Sequence, residues 1–165
     1  MTKKIIIADA SPLIIFGRIK RLDLITETLG QIIIPASVME ECIGNTKTGA
    51  LEIEVAIRKK LITVTPDPNM DKHKDLPIAL GRGEATAIVL AAQMKLGLLI
   101  DEKLGRRTAK KMHISIIGTA GTLLLAKKKK LIKKVSPLIQ ELKDNGYFLS
   151  EQLIKEILVK AKEKK

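Results

Sequence analysis

The chain has 165 residues, 45% hydrophobic but only 2% aromatic, so the expectation is a single domain (residues 1–165) with a core of Ile, Leu, Val and Ala. Thirty basic residues against eighteen acidic ones give a net charge of +12, which suits polyanions such as nucleic acid or anionic lipid, and equally suits plain solubility. Cys42 is the one cysteine, which excludes an intrachain disulfide, and no apolar stretch approaches the ~20 residues of a membrane span, so a soluble, cytoplasmic protein is expected.

The opening MTKKIIIADASPLIIF has a faint look of a signal peptide, but Asp9 and Pro12 break the apolar run and no small-residue cleavage site follows. Ile5 to Ala8 is a continuous apolar, mostly β-branched run without alternation, which suits a central parallel strand covered on both faces. Asp9 closes it, and Ser11 and Pro12 read as the N-cap and first position of a helix. A short helix follows over Leu22 to Leu29, stopped by Gly30, then a buried strand over Ile32 to Ile34. Pro35 leads into a helix carrying Val38 to Ile43, with a polar break at Asn45 to Gly49. Ala50 to Lys60 is a helix ending in bases, and Leu61 to Thr65 is a third strand. Pro66 to Pro77 holds three prolines and much charge, so it reads as a loop.

Gly81 and Gly83 punctuate the entry to the next helix, and Glu84 falls in its first turn. Ala85, Ile88, Ala92 and Leu96 recur at helical spacing, and Gly97 reads as the stop, where φ > 0 is wanted. Leu98 to Ile100 is a fourth strand ended by Asp101, followed by a charged loop to Arg107. Thr108 to Met112 reads as a short helix, Ile114 to Ile117 as a fifth strand, and Gly118 to Gly121 as a turn into a helix reaching about Lys130. Two more helices, Val135 to Asn145 and Ser150 to Ala161, are separated by the stop at Asn145-Gly146. The core is placed in residues 1–122, with 123–165 as a helical extension that is not independent.

Strands alternating with helices are the signature of right-handed βαβ units and a parallel sheet, so the fold class is α/β. Ligands of such open sheets bind beyond the carboxyl ends of the strands, where the strand order reverses. Asp9 and Asp101 both stand at such ends.

With Glu41 and Glu84 they form a candidate set of four acids. Clustered carboxylates repel one another unless a cation intervenes, and an all-oxygen set calls for a hard ion, Mg²⁺ or Mn²⁺. Zinc is disfavoured, because His73, His113 and Cys42 share no ligand spacing. Such an ion on a basic surface suggests phosphodiester hydrolysis. Each acid also has a structural reading. Asp9 could cap the next helix, Glu84 could complement a helix N-terminus for ~0.3–1 kcal/mol, and Glu41 could be a solvated helix acid. Asp101 could pair with Lys103, Arg106 or Arg107, worth ~0–1 kcal/mol. Periodicity does not choose between Glu40 and Glu41, since both flank the face of Val38, Met39, Cys42 and Ile43 about equally.

Five segments in order, IIIADASPLI, IPASVMEE, GRGEATAIVLA, LLIDEKLGRRTA and ISIIGTAGTLLLAKKKKLI, give the chain a resemblance to PIN-domain proteins, most closely the DUF3368 branch of PIN-like, VapC-like nucleases. The resemblance implies a three-layer α/β/α fold with a five-stranded parallel sheet in the order 3-2-1-4-5. It implies a Mg²⁺- or Mn²⁺-dependent ribonuclease leaving a 5′-phosphate and a 3′-hydroxyl. Asp9, Glu41, Glu84 and Asp101 match the acidic positions as metal-holding, catalytic residues, and the family's valine-to-acid spacing prefers Glu41 over Glu40. Ser11 and Thr119 match polar positions that orient a water or an acid, with helix N-capping as the alternative. Glu84 departs from the aspartate usual in PIN ribonucleases, although the Gly-Glu form is usual in this branch. A toxin of a toxin–antitoxin pair is implied as well, homodimeric and silenced by a small antitoxin.

Lys103, Arg106, Arg107, Lys127 and Lys128 are the candidate RNA-binding cations, through phosphate forks and counterion release. Phe16, Tyr147 and Phe148 are too few for base stacking to carry recognition. The rival reading is a nucleic-acid-binding PIN relative with little or no catalysis. A Rossmann-like nucleotide site is disfavoured, because the first strand runs into ADASPLI and lacks a G-x-G-x-x-G turn.

Overall fold

A computed structural model describes residues 4–44 and 48–164; Asn45 to Lys47 of the predicted polar break and Lys165 of the charged tail lie outside them. The apolar runs form five strands: β1 (Ile5–Ala8), β2 (Gln31–Pro35), β3 (Ile62–Thr65), β4 (Gly97–Leu99) and β5 (Ile116–Ile117). All pair in parallel, in the order β3-β2-β1-β4-β5. β1 is central, with Ile7 in register with Ile33 on one side and Leu98 on the other. Ile7 and Ala8 are fully buried, as a run without alternation requires when both faces are covered.

The crossovers and flanks are nine α-helices among the described residues: α1 (Ala10–Arg18), α2 (Leu22–Leu29), α3 (Ala36–Ile43), α4 (Ala50–Arg58), α5 (Arg82–Met94), α6 (Lys103–Lys111), α7 (Thr119–Lys128), α8 (Ser136–Asp144) and α9 (Glu151–Lys160). They flank the sheet in a three-layer α/β/α arrangement. The chain winds from β1 outward to β3, then returns past β1 to build β4 and β5. The strand order therefore reverses between β1 and β4, and the carboxyl ends of these two neighbours frame a crevice.

α5 differs from a one-faced amphipathic helix. Thr86 to Ala91 are all buried, so the helix is covered nearly all round rather than along the predicted stripe. It packs on β1, β2 and β4 and also on α3 and α6, which explains why no exposed face remains in its middle. The long Pro66–Pro77 segment is a loop with one 3₁₀ turn at Asp71–His73. Asp67 ties it down by accepting from the Ser37 N–H (2.9 Å), the Ser37 hydroxyl and Arg82 (3.1 Å).

Three local expectations are corrected. The N-cap of α1 is Asp9, in extended geometry, and Ser11 lies inside the first turn; Pro12 is tolerated there because first-turn N–H groups have no intrahelical partner. The left-handed residue ending α5 is Lys95 (φ 55°), and Gly97 instead opens β4. Residues 103–107 are helical rather than loop, since α6 begins directly after the acidic pair at 101–102. The C-terminal helices join the same core: Val135, Leu138, Leu142, Leu149 and Ile157 are buried in one continuous cluster with the sheet residues.

Candidate functional site

The crevice beyond β1 and β4 gathers acids from four elements. Asp9 follows β1 and is only 1% exposed, because the strand end is fixed by its N–H donating to Leu99 O at 2.9 Å. Although Asp9 occupies the N-cap of α1, its side chain makes no capping hydrogen bond, and its Oδ1 is buried without a partner. Glu84 sits at the third position of α5. Its Oε1 accepts from the Gly81 N–H at 3.4 Å, a weak cap, while its Oε2 is buried and also unpartnered. Two orphan carboxylate oxygens in one crevice leave strong acceptors without donors, an arrangement that a cation completes.

Glu41 on α3 and Glu102 at the N-cap of α6 are exposed, and their charges reach the same place. Burial first of all pushes the Asp9 carboxyl up to about 7; the Ala10 N–H opposes this, and the charges of Glu84, Glu41 and Glu102 add to it. Glu84 is raised by burial, then by Glu102 and Glu41, against the Gly81 N–H. Asp9, Glu41, Glu84 and Glu102 thus form one electrostatic cluster.

Glycines make room for it. A Cβ on Gly83 would stand 3.1 Å from Glu41 Oε2, and one on Gly105 would stand 3.0 Å from Glu84 Oε2. Glu41 therefore faces the helix start that carries Glu84, a placement that helical periodicity left open between Glu40 and Glu41.

Asp101 is placed differently. Its Oδ1 accepts the Thr119 N–H at 2.7 Å and its Oδ2 the Thr119 hydroxyl at 2.7 Å, so the strand end is bolted to the start of α7. A surface ion pair of Asp101 with Lys103, Arg106 or Arg107 is not formed: among the described residues the ion pairs are Arg21–Asp23, Arg82–Asp67 and Lys127–Glu163. Thr119 makes no capping bond of its own, the N-cap of α7 being Gly118. Ser11 is exposed on the first turn of α1.

Sequence reasoning gives Glu102 no role and considers Tyr147 only as a stacking aromatic. Glu102 is exposed, and its charge adds to the raised pKa of Asp9 and Glu84, while its neighbour Asp101 is bonded to Thr119. Tyr147, in the connection between α8 and α9, lines the same cleft as Asp101; burial, and then the Asp101 charge, hold its phenol protonated beyond the ordinary range.

The candidate cations divide. Lys103 and Arg106 line a cleft of about 470 Å³ that includes Asp101, Tyr147 and Lys160. Arg106 is partly engaged, its Nη1 donating to Ile100 O at 3.0 Å. Arg107 and Lys128 are exposed. Lys127 binds the Ala161 carbonyl and Glu163, so it ties down the C-terminal tail rather than standing free for a ligand.

The donor set fits a hard divalent ion: it is all oxygen, anionic, and includes two buried acceptors without donors. As the side chains stand, no three Asp, Glu, His or Cys among the described residues already converge to coordinating geometry. Like charges without a counterion separate, and Glu41 and Glu102 are exposed enough to swing, so the fit rests on the two buried oxygens.

A family model, DUF3368, described as a PIN domain, matches residues 5–163. No curated protein matches the chain. Among solved structures, a PilT N-terminus domain protein from the hyperthermophilic archaeon Sulfolobus solfataricus P2 is similar, at 15% identity and a TM-score of 0.46, covering 74% of this chain and 92% of that one.

Proposed function

We propose a function for this chain, which belongs to the PIN-domain family: a Mg²⁺- or Mn²⁺-dependent endoribonuclease that hydrolyses RNA phosphodiester bonds. PIN domains are in general nucleases, which sets the reaction class. The observation that carries the finer reading is the pair of buried, unpartnered oxygens, Asp9 Oδ1 and Glu84 Oε2, at the reversal of strand order.

Asp9, Glu41, Glu84 and Asp101 would hold the metal, with the Glu102 charge beside them. When bound, the ion supplies charge neutralisation at the scissile phosphate and a water acidic enough to attack it. Asp9 gives up its proton on loading, since burial and neighbouring charge keep that proton on up to about pH 7 in the metal-free protein. Lys103 and Arg106, on the first turns of α6, are close to the acids in sequence and lie on the crevice side that includes Asp101, where they can hold flanking phosphates. Buried apolar groups beneath, including Ile7, Leu99 and Ile100, keep bulk water from the floor.

The test is cleavage of a 5′-labelled single-stranded RNA with Mn²⁺, with EDTA and with Asp9→Asn. We expect metal-dependent products ending in 3′-hydroxyl, lost in both controls. The net charge of +12 favours a second reading, RNA binding with little chemistry. Binding that survives in the wild type, with no cleavage at any Mn²⁺ concentration, would select it. As a toxin the chain would be a homodimer and would co-purify with a small antitoxin encoded beside it.

A further inference from the structure

Three clefts follow α7 from its start to its end. The first, of about 470 Å³, takes in Gly118, Ala120 and Gly121 and reaches from Lys103 and Arg106 to Lys160 of α9. The second, of about 550 Å³, shares Leu124 and Lys160 with the first and adds Lys128 and Lys162. The third, of about 370 Å³, shares Lys127 and Lys162 with the second and adds Lys133 and Lys134, which precede α8. Together they make a continuous track beside a helix of ten residues, about 15 Å long. The acids along it are Asp101, Glu156 and Glu163. Glu163 is already engaged by Lys127 and by the Val135 and Ser136 N–H groups. Lys103, Lys128, Lys133, Lys134, Lys160 and Lys162 are exposed and, among the described residues, in no ion pair. Lysines at the ends of α7 and α9 complement the negative end of each helix dipole. Lys133 and Lys134 do not: they stand just before the N-terminus of α8, the positive end, and beside other cations. Like charges gathered from separate elements repel one another and focus a positive field, which a polyanion relieves. The wall between them is apolar, with Leu124, Leu125 and Ala161, and suits the sugars and bases of an unpaired strand.

We infer that this track binds the backbone of single-stranded RNA away from the cleavage position: its lysines hold successive phosphates, from the acid crevice along α7 to the start of α8. The inference rests on the reading of RNA as the substrate, and it gives the C-terminal helices a part in holding that substrate. Affinity then comes from counterion release and falls steeply with salt, by about 0.7 in log–log slope for each phosphate of a single strand. The track is neutral to sequence, because phosphate contacts carry no base information.

The experiment reads the fluorescence anisotropy of a labelled single-stranded RNA dodecamer in EDTA, across a salt series. It compares wild type, the track variant Lys133→Gln/Lys134→Gln/Lys162→Gln and a charge-matched control, Lys59→Gln/Lys111→Gln/Lys155→Gln. The control lysines are exposed and line none of the three clefts. We expect the track variant to bind about 10-fold more weakly near physiological salt, with a salt slope smaller by about 2. The control should stay close to wild type. Equal losses in the two variants overturn the inference, since net charge alone would then explain binding. A wild type that binds no dodecamer overturns it too. So do phosphatidylserine vesicles whose binding falls in the track variant while RNA binding does not, which would make the track a lipid surface. Cleavage of RNA with Mn²⁺ together with equal losses keeps the nuclease reading and discards the track. The expected losses without cleavage keep the track and discard the nuclease.

Discussion

Asp9 shows how a single side chain can be costly to the fold and useful to the site. Its carboxyl keeps a proton up to about pH 7 in the folded chain, whereas an unfolded aspartate releases it near 3.8. Between these values the folded state binds more protons than the unfolded one, so stability falls as pH rises. The shift corresponds to a penalty on the order of 4 kcal/mol once both states are ionised. Asp9→Asn removes the charge and keeps the shape. In EDTA, urea unfolding should therefore show the variant more stable than wild type at pH 8, with the two converging near pH 4. Parallel pH profiles would mean that Asp9 is not buried as described. The neighbouring acids teach a different lesson. Glu41 and Glu40 were indistinguishable by helical angle, and the structure separates them by which one faces Gly83. Asp101 stands at a strand end as the sequence suggests, but its bonds to Thr119, 18 residues on, are visible only in the structure.

At the level of elements, the helices end in an unusual way. Among the described residues, Lys20, Lys60, Lys95, His113, Lys130 and Lys162 adopt φ between 55° and 63°, each just past a helix C-terminus. Left-handed backbone costs a residue with a Cβ about 1–2 kcal/mol, partly offset here by placing cations at the negative end of the helix dipole. A reading that looks for glycine at helix ends finds Gly30 and Gly146, and it misplaces the end of α5 at Gly97 because the turning residue is Lys95. Lys95→Gly should stabilise the protein by about 0.5–1 kcal/mol, a rise of roughly 2–4 °C in thermal midpoint. No rise would show that Lys95 contributes contacts that offset its strain.

Across the whole molecule, the C-terminal tail is tied back by one carboxylate. Glu163 accepts from Val135 N (2.8 Å), Ser136 N (3.2 Å) and Lys127 Nζ (3.0 Å), linking the tail to the starts of α8 and the end of α7. Burial alone would raise its pKa, but these donors outweigh burial and bring it down to about 2, from an ordinary 4.5. A depressed acid stabilises fully above its unfolded pKa and loses that contribution as pH falls through the folded one. Glu163→Gln should therefore lower the thermal midpoint at pH 7, and the gap to wild type should close between pH 4.5 and pH 2. A gap that persists at low pH would assign the tie to packing rather than to charge.

The sequence alone determined the architecture. Ile5 to Ala8, Ile32 to Ile34 and Leu98 to Ile100 are apolar without alternation, and such runs are stable only as strands covered on both faces, which demands a parallel sheet with helical crossovers. It also put Asp9 and an acid after the fourth strand on one rim, because right-handed crossovers leave every strand pointing the same way. The tertiary structure decided what lies across the crevice. Which oxygens lack a donor, that Asp101 is bonded to Thr119, and that Tyr147 shares a cleft with Asp101 across 46 residues of chain are matters of packing between elements distant in sequence. Local pattern carries the periodicity of one element at a time and holds no record of the partner that element meets.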